Sequence, residues 1–161
     1  MQNKEKIIIL LIIIFLGGIV FMGGKMVEKT IENNWQSKAS ETITNLEQEY
    51  AEKIAVMKDV NALMESGWRL LSGNQIQSAI INFQRVTQLE KNDRDGWLYL
   101  GIAQLKNNQA DEALANLQTA EKLDPINLQT YEFLIVAYQQ TGDTEAAQKA
   151  SEKYNFLIKK N

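Results

Sequence analysis

"WLYLGIAQLKNNQADEALANLQTAEKLDP" (Trp97–Pro125) reads as two helices around a polar turn, "NNQAD" at 107–111. The first helix carries both a Trp and a Gly, and a Pro follows the second. A pair of helices this short cannot bury its own apolar face, so something must stack against it. Shifting the stretch by 34 residues either way finds that something. Trp97 falls on Leu63 and Tyr131, Gly101 on Gly67 and Ile135, and Ala113 on Ala79 and Ala147. Leu117 falls on Phe83 and Ser151, and Leu123 on Leu89 and Leu157. The turns "SGNQ" (72–75) and "TGDT" (141–144) take the slot of 107–111, and "EKNDRD" (90–95) and "LDPIN" (123–127) separate the units.

In period and in residues the chain resembles the tetratricopeptide repeat family over about 60–161. Trp97, Leu100 and Gly101 match W-x2-L-G, followed by Ala113 and Pro125, with Gln104 for the usual Tyr and Leu117 for the usual Phe. The first unit keeps Gly67, Ala79 and Phe83, but has Ser66 for Leu and Lys91 for Pro. The third keeps Leu134, Tyr138, Gly142 and Ala147, without the helix Gly or the Pro. The fold expected is all-α: three helix-turn-helix repeats at about 60–93, 94–127 and 128–161, forming a superhelix.

Packing explains these residues. Gly101 and Ala113 have almost no side chain, so the helices of one unit can approach closely. Gly inside a helix costs roughly 1 kcal/mol relative to Ala, so its presence in two of three units points to a packing need. Trp97 and Leu100 fill the gap between neighbouring helices. Pro125 ends the second helix, because it cannot continue the hydrogen-bond ladder and restricts Asp124 before it. Stacking three units then yields one continuous core.

The resemblance also implies a concave groove lined by the first helix of each unit, where a partner peptide or helix binds. The stripe beside the packing face is Met64, Trp68 and Leu71 in unit one, Leu98, Ile102 and Leu105 in unit two, and Glu132, Val136 and Gln139 in unit three. Most of it is apolar, which suits an amphipathic helix. The basic and Asn residues with which some family members clamp a carboxylate are not at these places. The stripe has another reading, in which the chain's own stalk or a second copy fills it. Family members often add a polar capping helix, whereas this sequence stops at "YNFLIKKN". Phe156, Leu157 and Ile158 cannot all point inward, so apolar surface is expected there for self-contact.

Ahead of the repeats, Ile7–Gly24 has no charge and fourteen Ile, Leu, Val, Phe or Met residues. As a helix it spans roughly 27 Å, close to a hydrocarbon core. A single transmembrane anchor is expected at 1–24. A cleaved signal peptide is the rival, but cuts after Gly18, Gly23 or Gly24 put bulky Leu16, Phe21 or Met22 at the outer small-residue position. Lysines on the two flanks balance. The short lead favours a cytoplasmic N-terminus with the repeats outside, at the periplasmic face of a bacterial inner membrane. Residues 25–59 then form a helical stalk, with apolar residues three or four apart from Val27 to Val60. A heptad-like seam (Ile43, Leu46, Tyr50, Met57, Val60) is interrupted by Lys53. The stalk either packs on the repeats or associates with itself as a coiled coil.

The chain has 161 residues, no His, no Cys and a net charge of −3. Without His or Cys the usual nucleophile–base pairs and transition-metal sites are missing. "NDRDG" (92–96) lacks the later ligands of a calcium loop and falls between repeats. No enzyme activity, metal or cofactor is therefore expected. An acidic chain also argues against nucleic acid as a partner. What remains is a membrane-anchored scaffold that binds another protein, a peptide or a copy of itself. The alternatives are an accessory factor in a membrane assembly pathway, such as cytochrome c maturation, and a self-assembling structural protein.

Overall fold

The structure, a computed structural model, describes residues 25–160. Among them are seven helices and no strand: α1 (Lys25–Ala55), α2 (Val60–Ser72), α3 (Ile76–Leu89), α4 (Arg94–Lys106), α5 (Ala110–Leu123), α6 (Leu128–Thr141) and α7 (Thr144–Lys160). The span 7–24 lies outside the described residues. Among those described, no helix is long and apolar enough to cross a membrane.

The chain divides into two units, Met1–Thr44 and Asn45–Asn161. In the second unit, α2 packs on α3, α4 on α5 and α6 on α7. Between hairpins, α3 meets α4, α5 meets α6, and α4 touches α6 directly.

Each hairpin turn is built by the same device. Asn74, Asn108 and Gly142 have φ of 59°, 59° and 82°, the left-handed region open to Gly and tolerated by Asn. The next residues, Gln75, Gln109 and Asp143, donate their N–H to the carbonyls of Leu70, Gln104 and Tyr138 at 2.8, 2.9 and 2.9 Å. That bond, with those from the N–H of Asn74, Asn108 and Gly142 to the carbonyls three residues back, satisfies carbonyls the ending helix leaves open. The other ends are matched too. Asp59, Asp93 and Asn127 cap α2, α4 and α6, accepting from the N–H of Ala62, Asp95 and Thr130.

The small residues sit where close approach demands them. A Cβ on Gly67 would lie 2.6 Å from Phe83 Cε1, and one on Gly101 2.7 Å from Leu117 Cγ. Phe83, Leu117, Ala79, Ala113 and Leu134 are fully or almost fully buried, and Leu100, Tyr131 and Ala147 nearly so. Burial of each large apolar side chain favours folding by about 1.5–3 kcal/mol. Gly96 plays a similar part between units: a Cβ there would meet Val86 Cγ1 at 2.7 Å.

Trp97 and Tyr131 fasten the joints between units as well as filling space. Trp97 Nε1–H donates to the Lys91 carbonyl at 2.8 Å, and the Tyr131 hydroxyl to the Pro125 carbonyl at 2.9 Å. Pro125 lies in the exposed link between α5 and α6. The joint before α2 has Leu63 in the aromatic position, and Leu63 has no donor. There Arg85 Nε–H reaches the Met57 carbonyl at 3.0 Å, so the same site is filled from another helix. Around this joint the final turns of α1 enter the core. Ile54 is buried with Leu63 and Val86, and Tyr50 and Met57 pack on them. Asn82, buried on α3, donates one amide hydrogen to the Tyr50 hydroxyl and another to the Ser78 carbonyl at 2.9 Å.

Candidate functional site

The family resemblance assigns the inner wall to the first helices of the three hairpins, of which α4 and α6 touch directly. Of the seven residues expected to line a groove there, four are core residues. Leu98 is 0 % exposed, Ile102 4 %, and Leu71 and Leu105 6 % each. The cause is position in the stack. α4 is flanked by α3 on one side and by α5 and α6 on another, so Gly101 to Leu105 are buried without a break. A stripe drawn on α4 alone cannot anticipate neighbours on both flanks. Met64 and Val136 are half-buried, and Trp68 is 38 % exposed. Glu132 and Gln139 of the same stripe are exposed.

The open part of the wall centres on Trp68. Its indole meets the ring of Tyr99 at 4.2 Å between centroids and 66°, an edge-to-face pair across α2 and α4. Tyr99 leans in turn on Phe83, at 5.8 Å, which ties the exposed ring to the core. One period after Tyr99 comes half-buried Phe133, and two periods after Trp68 comes half-buried Val136. Burial, and then Asp95, push the Tyr99 phenol above its ordinary pKa, so it stays a neutral donor. Tyr99 lay outside the sequence stripe. Its signal was present in the register, since 99 and 133 are both aromatic at one repeat's spacing.

Beside this wall is an open depression of about 560 Å³, lined by Lys58, Asp59, Val60, Asn61, Met64, Glu90, Asp93 and Asp95. Its chemistry is acidic, with four carboxylates against one lysine. Asp59 and Asp93 are occupied as helix caps, and Asp95 pairs with Arg94. Among the described residues, no group of three or more acidic side chains is arranged to hold a metal ion. Elsewhere on the hairpins, Tyr138 is half-buried and accepts from Gln118 Nε2 at 3.1 Å. Phe156 and Ile158 stay exposed at α7 while Leu157 is buried.

Hairpins of this length, joined at a fixed period with a small residue at each crossing, are the decisive observation. The chain belongs to the tetratricopeptide repeat family. No protein-family model matches it. Similar proteins include the peroxisomal targeting signal receptor of Komagataella phaffii, 32 % identical over 109 residues, 67 % of this chain and 19 % of that one. The PEX5-related protein of Homo sapiens is 28 % identical over 109 residues, covering 63 % of this chain and 17 % of its own. The chain thus spans about a fifth of the length of these curated relatives. Among solved structures, MamA superposes with a TM-score of 0.62 at 18 % identity, covering 84 % of this chain and 76 % of that one. The first tetratricopeptide domain of Spaghetti (RPAP3), bound to an HSP90 peptide, gives 0.61 at 17 %, over 63 % and 81 %. Both structural likenesses concern the fold.

Proposed function

We propose that this tetratricopeptide repeat chain is a membrane-anchored interaction scaffold that holds a partner helix or peptide against its inner wall. The Trp68–Tyr99 pair carries the reading. A large indole left partly open on a rigid wall, backed by a second ring, suits an interface anchor. Met64, Phe133 and Val136 extend the apolar surface along the wall. Covering several such side chains favours binding by a few kcal/mol each, enough to offset part of the cost of association. The acidic depression next to Met64 adds a preference for a partner with Lys or Arg near its apolar side chains. That a related fold holds an HSP90 peptide supports a peptide as the occupant.

The anchor rests on the sequence of Ile7–Gly24, with the N-terminus cytoplasmic and the repeats across the membrane. Two experiments test the two halves of the reading. Vesicle flotation should carry the full chain upward and leave residues 25–161 behind; a full chain that stays in the aqueous layer refutes the anchor. A photo-crosslinking residue at Val136, in native membranes, should trap a distinct protein, and Trp68→Ala should remove the adduct with helical circular dichroism unchanged. An adduct indifferent to Trp68→Ala refutes the inner wall.

A further inference from the structure

We infer that a second copy of this chain covers the exposed apolar stripe of α1, the two helices lying parallel and in register. Trp35, Ile43 and Leu46 are 43, 56 and 58 % exposed, and every side chain from 34 to 46 is open. Isolated helices draw little stability from propensity alone, so a helix of 31 residues with so much of its length uncovered gains from a partner.

Three observations select a second copy. First, the spacing continues that of an interface already made. Trp35, Ala39, Ile43, Leu46, Tyr50, Ile54 and Met57 follow one another by four, four, three, four, four and three residues, an 11-residue repeat. Tyr50 and Ile54 are the residues that α1 packs into its own core, with Met57 joining them just past the helix end, so the stripe is of contact quality. Second, Trp35, Ala39, Ile43 and Leu46 carry no charge, so identical residues can face each other across a two-fold axis without repulsion. Third, α1 begins directly after the uncharged span 7–24. If that span is an anchor, as proposed above, every copy points the same way in one plane. Confinement then raises the effective concentration for a seam only four residues long. Glu32, at the next seam position toward the span, limits the pair to that length.

The chain has no cysteine, so an introduced one reports alone. Single variants of the full chain in phospholipid vesicles divide into two sets. Ala39→Cys, Ile43→Cys and Leu46→Cys lie on the stripe; Ser37→Cys, Glu41→Cys and Gln48→Cys lie on the opposite side of the helix. In a parallel in-register pair, the first set brings paired Cβ atoms within disulfide reach, while the second holds them about two helix diameters apart, roughly 20 Å. Mild oxidation should give dimer bands from the first three and none from the others. Chain that floats with the vesicles but gives no bands, or equal bands from all six, overturns the pairing and leaves the anchor standing. Chain that does not float overturns both.

Discussion

α4 and the exposed part of α1 are both helices, yet their surroundings are opposite. Along α4 the six consecutive residues from Leu100 to Leu105 are buried, including Gln104, which accepts from Asn116 Nδ2 at 2.6 Å. Along α1, residues 34–46 are all exposed. The apolar content of a helix does not decide this. α4 is buried because helices of its own and the neighbouring hairpins stand on either side of it. In a stacked fold, burial belongs to place in the file more than to the stripe on one element.

Substitutions can test that contrast. The largest effect should come from Ile102→Glu, which buries a carboxylate among Leu and Ala side chains. A charge there costs several kcal/mol, and residues 25–161 should lose their cooperative urea transition, followed by helical circular dichroism. A retained transition would mean the wall at α4 is open. Next comes Gly101→Ala. Its methyl gains about 1 kcal/mol of helix propensity but collides with Leu117, and overpacking costs about 1–3 kcal/mol, so the net should be a destabilisation of about 1 kcal/mol.

Tyr131→Phe removes the hydrogen bond to the Pro125 carbonyl, a loss of about 1 kcal/mol at neutral pH. It also changes the alkaline limb. Burial, then Glu121, push the Tyr131 phenol up to about 12 from 10. The folded chain therefore holds that proton more tightly than the unfolded one. Its contribution to stability is complete below pH 10 and is lost as pH rises toward 12. Chemical denaturation across that window should show a steeper fall for the natural chain than for the Phe variant. The smallest effect belongs to Ile43→Ala on α1, within about 0.5 kcal/mol for residues 25–161 in dilute solution. A larger loss would place Ile43 against something in its own chain.

Much of the fold was legible. The 34-residue register located each hairpin, and Gly67 and Gly101 do face Phe83 and Leu117. The caps were legible too, though unread: Asp59, Asp93 and Asn127 stand one repeat apart, as do Asn74, Asn108 and Gly142. The inner wall was not. Whether Leu98 or Tyr99 faces outward depends on how α4 is rotated between its neighbours, a packing variable that no single helix encodes. For the same reason Arg85 and Met57 gave no sign of meeting, since 28 residues and a helix separate them.

The three joints share an acceptor. At each, a backbone oxygen waits in the same position, and an indole, a phenol and a guanidinium answer it in turn. The requirement is a proton offered from the right direction, whichever side chain brings it. Such a socket frees sequence from structure. Units can diverge until they share few letters and still couple end to end, so a chain of this kind is interchangeable at its seams even where its residues are not.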